Sequence, residues 1–107
     1  MKIIIHGTRM DLTPAIEMHI QEKFVALSRH VDSKHEALAE VRVEVGKPSG
    51  HHHKGDVFYA EANLKMGKEL LRATSQRDDL YAAINECQQE LDVQLQKHKT
   101  REQAHRK

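Results

Sequence analysis

The run Val57-Phe58-Tyr59-Ala60-Glu61-Ala62-Asn63-Leu64-Lys65-Met66, then Gly67-Lys68, then Leu70-Leu71-Arg72-Ala73-Thr74-Ser75, decides the fold. Side chains of a strand alternate between faces. Phe58, Ala60, Ala62, Leu64 and Met66 therefore share one face, and Tyr59, Glu61, Asn63 and Lys65 the other. Gly67 can take a positive φ at no steric cost, which makes Gly67-Lys68 a two-residue hairpin turn. The reading is an antiparallel hairpin with one apolar face, which another part of the chain must cover.

Just before the hairpin, Leu38 to Val45 alternates in the same way. Val41, Val43 and Val45 point inward, and Glu40, Arg42 and Glu44 outward. Residues 47–55 hold Pro48, Gly50, Gly55 and three histidines, a loop composition. Earlier still, Thr13 suits an N-cap, Pro14 the first helical position and Glu17 the first turn. Ile16, Ile20, Phe24, Leu27 and Val31 form one helical stripe, so this helix runs to about His30. Ile3-Ile4-Ile5, ended by Gly7, reads as a first strand buried on both faces or nearly so.

After the hairpin, Asp78 or Asp79 can cap a last helix. Leu80, Ile84, Cys87, Leu91 and Leu95 are its stripe, and it should persist to about Lys99. The order is β-α-β-β-β-α. Two amphipathic helices on one face of a four-stranded sheet make a two-layer α+β sandwich. Residues 1–100 form the domain and residues 101–107 a basic C-terminal tail.

The 107 residues suffice for one domain. The single cysteine excludes an internal disulfide and fits a reducing compartment. No stretch reaches the length of a membrane-spanning helix, and residues 1–6 are too short for a signal-peptide core, so a cytoplasmic protein without a membrane partner is expected. Net charge is only +1, but residues 97–107 carry +4 and the rest −3. Such asymmetry suits a polyanionic partner.

No phosphate-binding glycine loop, nucleophile elbow or metalloprotease signature is present, and nothing argues for catalysis. Cys87 falls on the apolar stripe, where a small buried hydrophobe is expected and not a nucleophile. His51, His52 and His53 are adjacent, so on an extended chain they point to opposite sides and do not readily share a metal. No cofactor or metal is expected, and these histidines read as a polar loop able to touch RNA phosphates. Glu40 and Glu44 alternate with basic neighbours, as on a solvated face. The helix surfaces are more informative. His19, Lys23 and His30 share a flank of the first helix, with Arg29 further round, and Lys97 and Arg101 are four apart on the last. Fixed basic donors of this kind suit phosphates, although Glu86 and Glu90 share the flank of Lys97. Arg42, Lys65 and Arg72, on the open face of the sheet, are the next candidates.

Four stretches together resemble the ribosome hibernation promoting factors, also called ribosomal subunit interface or ribosome-associated inhibitor proteins. They are Met1 to Gly7 with Met10 to Ile16, Lys54 to Leu64, Leu71-Arg72-Ala73 with Asp79 to Asn85, and Gln94 to Lys99. The resemblance covers about residues 1 to 100 in order. It implies the same β-α-β-β-β-α fold, similar to double-stranded RNA-binding domains. It also implies a non-enzymatic factor that binds the small ribosomal subunit in the messenger and transfer RNA channel and inhibits translation in stress or stationary phase.

Carried over by position, the RNA-binding residues are Lys23, Arg29, Lys97, Lys99 and Arg101, while Asp79, Tyr81 and Ala83 serve helix start and packing. The chain departs from many relatives in having Ala26, Glu90 and Val93 where they carry basic residues, so its face is less basic. It looks like a short form, without a linker and second domain or an acidic tail, and is expected to be a monomer off the ribosome. Its expected partners are the small subunit and its ribosomal RNA, and a second hibernation factor where one is required. The alternative reading is a general structured-RNA or protein-binding module without ribosome specificity.

Overall fold

A computed structural model describes residues 1–31, 35, 37–48 and 57–105, with side chains as far as Arg101. Its strands are β1 (Lys2–Thr8), β2 (Glu40–Gly46), β3 (Phe58–Met66) and β4 (Glu69–Arg77). Helix α1 is Pro14–Val25, continued by a 3-10 helix over Ala26–His30, and α2 is Leu80–His105. The four strands lie in one sheet in the order β1-β2-β3-β4. β1 pairs parallel with β2, and the other two pairings are antiparallel. The expected α+β order and its two layers are present.

The hairpin is as its sequence requires. Met66 faces Glu69 across the turn, and Gly67 carries φ +59°. Ala60, Ala62, Leu64 and Met66 are buried, as are Val41, Val43 and Val45 beside them. Both helical stripes close on this surface, so Ile16, Ile20, Phe24, Leu27 and Val31 meet Leu80, Ile84, Cys87, Leu91 and Leu95 in one core. Burying a side chain of this kind fully contributes about 1.5–3 kcal/mol, so the two stripes explain why both helices lie on the same side of the sheet.

Local signals act where expected. Thr13 Oγ1 accepts from the Ile16 N–H at 3.2 Å, and Pro14 opens α1. Gly46 ends the parallel ladder opposite Thr8, where a Cβ would lie 2.1 Å from the Thr8 carbonyl oxygen. Only glycine permits that approach, which lets Lys47 N–H donate to the same oxygen at 3.1 Å.

Three details differ from expectation. β1 is an edge strand, and Ile3, Ile4 and Ile5 are only half-buried, because one backbone edge and one sheet face remain open to solvent. The first helix is α-helical only to Val25 and finishes as a 3-10 helix, a common tightening of a last turn. The last helix carries past Lys99 to His105. Leu95 is its last core residue, so at 1.5 Å per residue α2 overhangs the core by about 15 Å. The backbone at 101–105 is helical, and residues 106–107 lie outside the described residues.

Candidate nucleic-acid interface

The two helices run in the same direction, side by side. His19 of α1 hydrogen-bonds Asn85 of α2 through Nε2 and Oδ1 at 2.8 Å, and its ring meets the Tyr81 ring edge-on with centroids 4.7 Å apart. Further along, His30 Nε2 lies 3.3 Å from Asp92 Oδ1. These contacts revise the reading of the first-helix flank. His19 and His30 are turned toward α2, because the flank they occupy is the one that packs, and His19 joins the helices by its hydrogen bond to Asn85. Lys23 lies between them in sequence on that flank and is exposed. Ala83 is fully buried, whereas Tyr81 is 38% exposed and meets the His19 ring edge-on.

The structure divides the cations of α2. Val93, Gln96, Lys97, Thr100 and Arg101 line one side of the overhanging helix. Lys99 stands on another, beside His98, the hairpin turn and the end of the 3-10 helix. Arg29 is exposed, and its Nε donates to His30 Nε2 at 3.3 Å. The five sequence-derived residues therefore do not form one cluster. Lys97 and Arg101 form one pair, Lys23 and Arg29 come from the first helix and its extension, and Lys99 belongs to a separate depression.

The carboxylates expected to weaken this surface are partly occupied elsewhere. Glu86 accepts from Arg77 Nη1 at 2.6 Å and from Ser75 Oγ at 3.0 Å. Those two hydrogen bonds, Arg77 first, hold its carboxyl below the usual glutamate range. Glu90 accepts from Gln94 Nε2 at 3.4 Å and remains exposed.

On the open face of the sheet two of the three candidate cations are paired, and among the described residues Lys65 enters no ion pair. Arg42 pairs with Glu40 at 3.1 Å and Arg72 with Glu61 at 3.0 Å, while the Tyr59 hydroxyl donates to Glu44. Burial, then that hydrogen bond, raise the Tyr59 hydroxyl above its usual range. Glu44 and Glu61 stand directly opposite on neighbouring strands, an acidic centre that disfavours phosphate. Among the described residues Lys23, Lys97, Lys99 and Arg101 also enter no ion pair. Sequence reasoning ranked both faces by their cations, but the ion pairing that separates them is a tertiary property.

Cys87 is fully buried, its Sγ 3.5 Å from the Ala73 carbonyl oxygen that it faces as donor. Burial, then the charge of Glu61, push its thiol up to about 12, so it is protonated and offers no nucleophile. Among the described residues no three His, Cys, Asp or Glu side chains are placed to hold a metal. No helix among them is long and apolar enough to cross a membrane. His51, His52 and His53 lie outside the described residues.

Comparison with known proteins agrees with the sequence resemblance. A ribosome hibernation promotion factor of Staphylococcus aureus (strain COL) is 32% identical over 97 residues, which is 91% of this chain and 47% of that protein. The chain thus spans about half the length of this curated relative. The N-terminal domain of Thermus thermophilus Protein Y superposes with a TM-score of 0.75 at 23% identity, covering 92% of this chain and 99% of the other. A ribosomal subunit interface protein from Coxiella burnetii gives 0.73 at 21%, covering 94% and 99%. These two likenesses establish the shared fold. The family model described as sigma 54 modulation protein / S30EA ribosomal protein matches residues 3–103, and the chain belongs to that family.

Proposed function

We propose that this protein is a non-enzymatic ribosome hibernation factor that docks the outer flank of its helices on ribosomal RNA of the small subunit. It occupies the messenger and transfer RNA channel there and inhibits translation in stress or stationary phase. It works in the cytoplasm, as a monomer when off the ribosome. The observation that carries this reading is the contrast between the two faces. Exposed cations on the helices have no acidic partner among the described residues, whereas Arg42 and Arg72 of the sheet are already paired. Exposed bases on a rigid helix meet phosphates with little ordering cost, and releasing counterions from RNA supplies the affinity. Family membership and the Staphylococcus relative support the ribosome as the target.

The test is co-sedimentation with purified small subunits, with a duplex RNA of similar length as competitor. The wild type should pellet with subunits despite the duplex. Lys23→Glu with Lys97→Glu and Arg101→Glu should keep the circular dichroism spectrum and lose pelleting. Equal pelleting of this variant would move the contact surface to the sheet. Equal affinity for duplex and subunit would favour a general RNA-binding module.

A further inference from the structure

Among the described residues no strand lies beyond β4, so one side of its backbone is a sheet edge. Its hairpin closes on Met66 and Glu69, the hydrogen-bonded pair of a two-residue turn. Opposite residues of an antiparallel pair alternate between hydrogen-bonded and not. Glu69, Leu71, Ala73, Ser75 and Arg77 therefore direct their backbone groups to β3, and Leu70, Arg72, Thr74 and Gln76 turn theirs outward. Such a row is a template for another strand. One group in it is already taken. Gln94 of α2 donates from Nε2 to the Arg72 carbonyl oxygen at 2.7 Å, and the Glu90 carboxylate one turn earlier accepts from the same nitrogen at 3.4 Å. We propose that the β4 edge is a latent pairing surface for a second copy of this chain, and that Gln94, held over it by Glu90, keeps it closed.

The strand is complementary to itself. A two-fold axis at Ala73, the middle of β4, sets all nine of its residues against an antiparallel second copy. Leu70 then lies opposite Gln76 and Arg72 opposite Thr74, so each outward N–H and C=O meets its counterpart. At both ends Glu69 lies opposite Arg77, an opposite-charge cross-strand pair. Arg77 binds Glu86 in its own copy at 2.6 Å and keeps further N–H donors for Glu69. The two Arg72 side chains come diagonal to one another, and each is already paired with Glu61 of its own copy. Leu70, 64% exposed, is covered in part by the stem of Gln76 from the second copy. Moving the axis one residue toward the turn would put Arg72 opposite Arg72, and moving it one residue the other way would part Glu69 from Arg77. An unrelated extended peptide would meet the same backbone groups, but nothing on this edge would fix its register as the second copy's own charges do.

Gln94 sits where it obstructs this pairing most. Beside the axis, the Arg72 carbonyl of each copy must accept from the Thr74 N–H of the other. Gln94 occupies that oxygen in both copies, so its amide must leave twice before the central bonds form. Glu90 places an exposed charge close to the edge, which also deters strand pairing. A hydrogen bond of this kind shifts an equilibrium constant by about fivefold net, so removing two should favour the dimer by about 25-fold. The closed edge is consistent with a monomeric wild type, and the inference does not rest on the helix-flank reading.

The experiment measures the monomer–dimer equilibrium of the full chain by sedimentation equilibrium, with circular dichroism as the check on folding. Gln94→Ala should associate about 25-fold more tightly than wild type. Gln94→Met keeps the side-chain length and the helix propensity but has no donor, and should do the same. Thr74→Lys added to Gln94→Ala should return it to the monomer, since a cation would then face Arg72 of the second copy. Mild oxidation of Gln94→Ala carrying Leu70→Cys and Gln76→Cys reads the register. Those positions are about 20 Å apart within one chain, too far to bridge. Between copies they form a hydrogen-bonded pair with Cα atoms about 5.5 Å apart, which suits a disulfide. Covalent dimers should form. If neither folded Gln94 variant associates more tightly than wild type, the guard is overturned. Association without the 70–76 bridge would overturn the edge as the interface, and a wild type already dimeric through that bridge would overturn its closure.

Discussion

Replacing Val93 with arginine tests the helix flank by adding to it. Val93 is 45% exposed and lies four residues before Lys97 and eight before Arg101, on the same side of α2. The sequence resemblance leads one to expect a base here, so the substitution adds one cation to this face. The fold should tolerate it. An arginine four residues from Lys97 costs about 0.2–0.5 kcal/mol in like-charge repulsion, and arginine's better helix propensity offsets part of that. If the new guanidinium meets one phosphate, the slope of log K against log salt should steepen by about 0.9. Relative to a molar reference, that is about eightfold tighter binding at 0.1 M salt and about fourfold at 0.2 M. The assay is subunit binding at several salt concentrations, with Val93→Ala as a neutral control and Val93→Glu as the opposite. Val93→Glu should weaken binding by a comparable factor. If folded Val93→Arg has the wild-type affinity and the wild-type slope, the stripe of Lys97 and Arg101 does not face RNA.

Other perturbations test the fold beneath that surface. Cys87→Ser should cost about 1–3 kcal/mol, because a hydroxyl would be buried near only the Ala73 carbonyl, and calorimetry should show a fall of roughly 4–12 °C. Its subunit binding should be unchanged, and wild-type Cys87 should resist alkylation until the protein unfolds. Thr13→Ala removes the cap on the Ile16 N–H and should cost about 1 kcal/mol in urea unfolding, whereas Thr13→Ser should lose little. Glu86 has a lowered pKa in the folded state, so its stabilisation is complete above its unfolded value and lost as pH falls through the folded one. Wild-type stability should therefore fall more steeply in acid than that of Glu86→Gln. Equal slopes would show that the Arg77 and Ser75 contacts do not persist in solution.

The apolar positions of β2, β3 and both helices were legible from spacing. Val41, Val43 and Val45, then Ala60, Ala62, Leu64 and Met66 of β3, and both helical stripes are in the core, with Phe58 only half-buried at its margin, since periods of two and of about 3.6 translate directly into faces. Three isoleucines in β1 misled, because β-branched composition reports strand preference and does not say whether the strand is central or at an edge. Helix ends were the other weak point. Past Leu95 the apolar period stops, and α2 continues on helix-forming residues without core contact.

By itself the sequence determined the element order, the inward residues, the Thr13 cap, the Gly67 turn and the absence of a case for catalysis. Each of these depends on near neighbours in the chain, where backbone geometry and propensity act. Only the tertiary structure decided which cations remain available. It turned His19 and His30 toward α2 and paired Arg72 with Glu61 of the neighbouring strand. It also brought Lys68 beside His30 and His98, which lie far from it in the chain. An ion pair or a cavity is set by distances of a few ångströms between segments remote in sequence, and a one-dimensional pattern does not contain those distances.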